Sequence, residues 1–258
     1  EALGADVCGE HGLCREGQGW ARAADGYARA SGKLGVCIAT SGPGATNRIT
    51  GVANAHRDSI PMLVITGQVP SGLIGTDAFQ ETDVLGMTLG IVKHSYLIDD
   101  ADSLPIIMEE AIELAQSGRP GPVWIDIPKD LLLSDVADAP FPQAQPYEPA
   151  SPDLKEALAM LRASRKPLLY SGGGISLAHA EETFRAFAES SALPAVVTLK
   201  GIGNPGKHNP YNLGMLGMHG SRAANKAVDE CHLLLVTGPR PHDRAPRQLD
   251  RFAPNATR

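Results

Sequence analysis

The sequence predicts an α/β chain made of two doubly wound parallel-sheet domains. Three observations predict it. Six short runs rich in β-branched residues are near-continuously apolar instead of alternating, the pattern of strands covered on both faces. Ala-rich amphipathic stretches lie between those runs, as crossover helices would. One proline-rich segment breaks the alternation and divides the chain.

In chain order, the first domain (residues 1–139) is expected to hold helix Gln18–Ala30, strand Leu34–Ala39, helix Ala45–Arg57, strand Met62–Thr66, helix Leu104–Ser117 and strand Val123–Ile127. The acidic run Asp99–Asp102 favours the amino end of the helix near Leu104, where negative charge meets the positive end of the helix dipole. Residues 140–152 carry five prolines and no periodicity, so they are expected to form an extended linker. The second domain (153–258) follows with helix Asp153–Ala163, strand Leu168–Tyr170, helix Ala178–Ser190, strand Ala195–Leu199, helix Arg222–Glu230 and strand Leu233–Val236. The strand–helix unit before Gln18 is expected to be largely missing, and Phe252–Arg258 to lead into a further strand.

Composition narrows the function. The 258 residues carry 29 acidic against 23 basic side chains, a formal net charge of -6, so nothing points to nucleic acid as partner. No window holds the roughly 18 apolar residues of a membrane helix, and no signal peptide is expected. Cys8, Cys14, Cys37 and Cys231 form no Cys-x-x-Cys pair and are read as buried thiols of a cytoplasmic protein. His94 and His208 read as surface or turn histidines.

Glycine-bearing turns carry the chemistry. Thr40-Ser41-Gly42-Pro43-Gly44-Ala45-Thr46-Asn47 sits between a strand and a helix, at the sheet edge where such folds bind ligands. It reads equally as a ligand-facing turn or as a tight turn alone, and it is no P-loop, since no Gly-Lys-Ser/Thr follows. Four segments recur in the second domain: Ser171–Gly174, Thr198–Gly201, Gly214–Gly220 and Gly238-Pro239-Arg240. They suggest one extended ligand across several turns, with Met and Leu against a ring system, or a Gly-rich scaffold. A lone Gly-Gly-Gly is weak support for a dinucleotide loop.

Three motifs, Cys37–Asn47, Gly75-Thr76-Asp77-Ala78-Phe79-Gln80-Glu81 and Gly118–Asp130, together resemble the large, catalytic subunits of acetolactate synthases, with support from Leu213–Gly220 and Phe252-Ala253-Pro254. The resemblance runs from about Glu10 to Thr257 and covers about the middle of such a subunit. It implies a pyrimidine-binding domain followed by a truncated central FAD-binding domain. It implies condensation of two pyruvates, or of pyruvate with 2-ketobutyrate, with loss of CO₂, in branched-chain amino-acid biosynthesis. The implied cofactors are thiamine diphosphate, a non-redox FAD, and Mg²⁺ held by a further C-terminal domain, with no metal ligand in this chain. The implied assembly is a homodimer or homotetramer with its active site between subunits, and a small regulatory subunit is a further partner. Alone, the chain is expected to be inactive.

By the same resemblance, Pro43 and Asn47 face the aminopyrimidine, Phe79 and Gln80 line the substrate pocket, Pro70 stands on the channel wall, and Lys129 reaches the channel of a neighbouring subunit. Arg119, Gly173, Gly174, Thr198, Leu199, Lys200, Leu216, Gly217, Met218, His219, Gly238 and Arg240 contact FAD. The chain departs from the family at Arg15-Glu16-Gly17-Gln18-Gly19, where the family has Arg-His-Glu-Gln-Gly. Gly17 takes the position of the carboxylate that bonds the pyrimidine nitrogen N1′, and Glu16 is displaced by one residue. On a helix that slip rotates a side chain by about 100°. Pro239 and Pro241 also enter beside the flavin contact, each removing a backbone donor. Trp20 stands where the family has a small residue.

Two alternatives stay open. One is a sister thiamine enzyme of the pyruvate oxidase, oxalyl-CoA decarboxylase or glyoxylate carboligase type, the last of which works without the glutamate. The other is a non-catalytic, FAD-binding pseudoenzyme.

Overall fold

The structure is a computed structural model that describes residues 17–136, 152–239 and 252–257. The chain divides into two units, residues 1–148 and 149–258. Most of the proline-rich segment, with Cys8, Cys14, Glu16, Arg240 and Pro241, lies outside the described residues.

Unit 1 runs α1 (Gly17–Ser31), β1 (Gly35–Ala39), α2 (Pro43–Thr46), α3 (Ile49–Asp58), β2 (Met62–Gln68), α4 (Val84–Thr88), β3 (His94–Leu97), α5 (Leu104–Gln116), β4 (Pro122–Pro128) and α6 (Lys129–Leu132). Its four strands are parallel in the order β1-β2-β4-β3. Alternation along the strands builds two cores. Met62, Val64 and Trp124 face Ala21, Ala24 and Ala28 of α1 and Val52 and Ala55 of α3. Leu63, Val123, Ile125 and Ile127 face Ala111 and Ala115 of α5. Covering both faces is what makes β4 read as a near-continuous apolar run, interrupted only by Asp126, and every residue of it is buried.

Small residues let α1 and α3 approach: a Cβ on Gly51 would stand 2.6 Å from that of Ala21. Asp25 and Arg29 clasp the same pair, Asp25 accepting from Asn54 at 2.8 Å and Arg29 donating to Asp58 at 2.7 Å.

Unit 2 runs α7 (Lys155–Ala163), β5 (Pro167–Ser171), α8 (Gly174–Leu177), α9 (Glu181–Ser191), β6 (Ala195–Val197), β7 (Asn212–Met215), α10 (Arg222–Glu230) and β8 (Leu233–Thr237). Its strands are parallel in the order β7-β6-β5-β8. Leu168, Tyr170, Val196 and Leu234 pack on Ala224 and Val228 of α10, while Leu169 and Ala195 pack on Phe184 and Ala188 of α9. Thr257 forms a parallel bridge with Leu233, so the terminal segment joins the sheet beyond β8.

Several expectations change. β3 and β7 were not expected: both are edge strands without a fully buried residue, so they carry no apolar run. Burial on both faces also fails at edge strand β1, where Val36 and Ile38 are each 49% exposed. The single helix expected over 45–57 is two, α2 and α3, joined through Asn47 and Arg48. That expected over 178–190 breaks at His179, which is left-handed (φ 51°). β6 ends at Val197 because the Thr198 hydroxyl caps a 3-10 turn, Leu199–Gly201, accepting from Gly201 N. Asp100 caps the 3-10 turn Ala101–Ser103 ahead of α5, not α5 itself. Cys37 and Cys231 are buried, and burial pushes the Cys37 thiol up to about 11. His94 and His208 are exposed. No described helix is long and apolar enough to cross a membrane.

Candidate functional site

In a parallel sheet the loops leaving the carboxyl ends of the strands gather on one edge. In unit 1 those loops hold most residues singled out in the sequence. β1 leads through Gly42 into α2, with Pro43 at its first turn, where its missing N–H costs nothing. Gly42 has φ 58°, and a Cβ there would lie 2.9 Å from Cβ and O of Gln80. Glycine is therefore required twice, for its dihedral and for the contact. That contact seats the Phe79–Gln80 loop against the turn carrying Pro43 and Asn47, both exposed. Gln80 is itself left-handed (φ 64°), a conformation that costs a non-glycine residue energy and that the packing holds in place. Phe79 projects outward, 89% exposed.

The loop has its own scaffold. The Glu81 carboxylate accepts from the backbone N–H groups of Gly75, Thr76 (3.2 Å) and Ala78 (3.1 Å). These donors, Gly75 foremost, hold the Glu81 carboxyl below its usual range. β2 leads into Pro70 and the 3-10 turn Ser71–Leu73, and Asp130 on α6 accepts from the Ser71 backbone (2.9 Å) and hydroxyl. This pair brings Pro70 beside Lys129, the exposed first residue of α6. Beneath the loops, Asp126 is 1% exposed and accepts from Thr66 and Gln68; burial, only partly offset by these two bonds, pushes its carboxyl up to about 6. Glu81, Asp126 and Asp130 stand inside the motifs, and the sequence alone assigns them no role. The available signal was Asp126, one carboxylate in a strand otherwise wholly apolar.

Gly17 opens α1 beside this edge. A Cβ there would meet Asn47 Cβ at 2.8 Å and Arg48 Nη1 at 3.0 Å. Arg48 is 5% exposed, donates from Nη1 to the Gly17 carbonyl at 2.6 Å, and has a buried Nε with no partner. A half-buried Trp20 follows one turn on.

Arg119 stands apart. It precedes β4 and so lies at the opposite, amino edge of the sheet, donating to the Ser59 hydroxyl (2.8 Å) and the His56 carbonyl (3.0 Å) at the end of α3.

In unit 2, three turns meet at the carboxyl edge. A Cβ on Gly172 would stand 2.3 Å from Cα of Pro239; on Gly174, 2.8 Å from Cα of Gly238; on Gly201, 2.6 Å from the Ser171 carbonyl; on Gly173, 2.8 Å from Cβ of Lys200. Asn204, 2% exposed, ties in by donating to the Gly172 carbonyl at 2.9 Å. These glycines are accounted for by turn-on-turn packing before any ligand is considered. Thr198, Leu199, Lys200 and Gly238 border this junction, with Leu199 69% exposed and the Ser171 hydroxyl buried without a partner. Next to it, Gly217 (φ 100°) is pinned by Asn225, Met218 and His219 are exposed, and Leu216 is buried in the core, leaving only its backbone to a ligand. Among the described residues no group of three His, Cys, Asp or Glu could hold a metal ion.

Two family models match the chain: the N-terminal TPP binding domain of thiamine pyrophosphate enzymes over residues 5–87, and their central domain over 154–258. Acetolactate synthase isozyme 2 large subunit of Escherichia coli (strain K12) is 53% identical over 250 residues, 96% of this chain and 46% of the relative. Acetolactate synthase 1, chloroplastic, of Zea mays is 48% identical over 252 residues (95% and 39%), and a probable acetolactate synthase large subunit of Methanococcus aeolicus 46% over 255 (95% and 43%). The chain thus spans under half the length of these relatives. With the two domain models in tandem and this identity along almost all of its length, the chain belongs to the thiamine pyrophosphate enzymes and is similar there to acetolactate synthase large subunits.

Proposed function

We propose that this chain is the pyrimidine-side and central part of an acetolactate synthase large subunit, joining two 2-keto acids with release of CO₂. The observation that carries the reading is the Gly42–Gln80 contact, which sets the Pro43–Asn47 turn and the Phe79–Gln80 loop at one sheet edge beside Pro70 and Lys129. The residues fit the polar edge of an aminopyrimidine in part: Asn47 is exposed, and the orphaned Arg48 Nε shows polar capacity left unused beside Gly17. When bound, thiamine diphosphate supplies the nucleophilic carbon and electron sink that decarboxylation of a keto acid requires. Pro43 and Asn47 orient the heterocycle, Phe79 and Gln80 shape the space for the acceptor keto acid, and Lys129 brings positive charge to the channel of a neighbouring subunit. FAD, in a non-redox role, would be held at the unit 2 junction by Gly173, Gly174, Thr198–Lys200, the Leu216–His219 backbone and Gly238, with Arg240 a further contact that the resemblance implies. Mg²⁺ and the diphosphate are held by protein outside this chain, in a cytoplasmic homo-oligomer that takes a small regulatory subunit.

Incubation with pyruvate in the full-length protein separates this reading from its sisters. Acetolactate is expected; acetyl phosphate, CO₂ alone or tartronate semialdehyde would reassign the reaction. The chain by itself is expected to turn over nothing and to bind thiamine diphosphate with Mg²⁺ more weakly than micromolar, which calorimetric titration checks.

A second reading, a binding module without turnover, is favoured by one observation: position 17 has no carboxyl. A general acid–base is worth roughly 10²–10⁴-fold. Gly17→Glu in the full-length protein is expected to recover little, because the new side chain meets Asn47 and pairs with Arg48. Gly17→Glu with Arg48→Leu is expected to recover more. Bound cofactor with no gain in either variant would favour the binding module.

A further inference from the structure

Asp126 sits in mid-sheet, and its bonds run outward in one direction. Its Oδ1 accepts from the Thr66 hydroxyl at 2.5 Å, its register partner on β2. That hydroxyl accepts from the Trp124 indole N–H at 2.8 Å, so its own proton is committed to Asp126. Oδ2 accepts from Gln68 Nε2 at 2.9 Å. The other Gln68 amide proton goes to the Thr82 carbonyl at 2.8 Å, and Gln68 Oε1 accepts from Val69 N at 2.8 Å. Turning the Gln68 amide over would set Oε1 against both the carboxylate and the Thr82 carbonyl. The carboxylate therefore fixes which way Gln68 points, and Gln68 holds Thr82, two residues beyond Gln80.

Apart from the packing of Gln80 on Gly42, the loop has few other ties to the sheet among the described residues. The Glu81 bonds close the loop on itself and anchor it to nothing else, and Phe79 stands in solvent. We propose that Gln68, oriented by Asp126, is the positioning residue that fixes the Phe79–Thr82 loop on the sheet, so that a buried carboxylate decides where Phe79 and Gln80 stand. The consequence for substrate rests on Phe79 and Gln80 lining the acceptor pocket; the link itself does not.

Chymotryptic cleavage of the 258-residue chain after the exposed Phe79 tests the link with no substrate or cofactor present. Gln68→Met and Asp126→Val are each expected to speed cleavage at Phe79 by about tenfold, with other sites unchanged, as loss of a buried hydrogen-bonded anchor implies. Asp126→Asn is expected to stay near the natural rate, because its amide carbonyl can still accept from Gln68 while its NH₂ turns to Thr66. Emission from fully buried Trp124 reports that the core is folded, and Gln68→Met decides the matter if Asp126→Val does not fold. An unchanged rate at Phe79 in folded Gln68→Met, equal acceleration at every site, or Asp126→Asn as fast as Asp126→Val would overturn the proposal. The substrate reading fails separately, on pyruvate turnover, with the link intact.

Discussion

At the carboxyl edge of the unit 1 sheet, loops are held by carboxylates: Glu81 gathers the backbone of Gly75–Ala78, Asp130 holds Ser71, and Asp126 acts through Gln68 on Thr82. At the same edge of unit 2, turns are held by the absence of side chains: Gly172, Gly174 and Gly201 lie where any Cβ would strike a neighbouring backbone. The two sheets share a parallel architecture and fix their loops by different physics. Charge-assisted bonds leave the unit 1 loops adjustable and open to titration. Backbone-on-backbone packing makes the unit 2 junction stiff and indifferent to pH.

The contrast can be broken at its stiffest point first. Gly172→Ala is expected to cost about 3 kcal/mol, since the atoms it meets, Pro239 Cα and N, are backbone and cannot swing aside. Faster hydrogen exchange at β5 and β8, with unit 1 unaffected, is the readout. Gly42→Ala is expected to cost about 2 kcal/mol from its positive φ and the Gln80 contact, and to displace the loop, seen as altered cleavage after Phe79.

Titration should give smaller effects, and Asp126 and Glu81 of unit 1 supply two of them. The Asp126 carboxyl is raised from 3.8 to about 6, so the native state binds the proton more tightly, and its contribution to stability falls as pH rises through that window and is level above it. Glu81 is lowered from 4.5, so its contribution is present above that pH and is lost as pH falls through the folded value. Urea unfolding followed by Trp124 emission between pH 3 and 7 should show both slopes, with Asp126→Asn flattening the upper one. The smallest effect is expected for Gly72→Ala, where nothing lies within 4 Å: a change within about 0.5 kcal/mol, by the same unfolding measurement.

Much of the fold was legible because central strands bury both faces. The Val123–Ile127 and Met62–Thr66 runs announce themselves through composition alone. Edge strands β3 and β7 lack that signature, and β1 keeps it while leaving Val36 and Ile38 half exposed. Of the site, the residues at positions 43, 47, 79, 80 and 129 were legible as motif members. The resemblance implied that they gather; the contacts that gather them, Gly42 on Gln80 and Asp130 on Ser71, and the place of Arg119 at the opposite edge were not legible.

What the sequence determined by itself is periodicity and local chemistry: the alternation of elements, the glycine turns, and a glycine at position 17 where the family has an acid. These depend on near neighbours in the chain. Tertiary structure alone decided which partner each group meets. Glu81 reaches back six residues, whereas Asp126 and Gln68 are separated by 58 positions and Gly17 and Arg48 by 31. Bonds over such spans exist only once strands stand in register, as for Asp126 and Gln68, or helices pack at their ends, as for Gly17 and Arg48, and sequence spacing carries no trace of either.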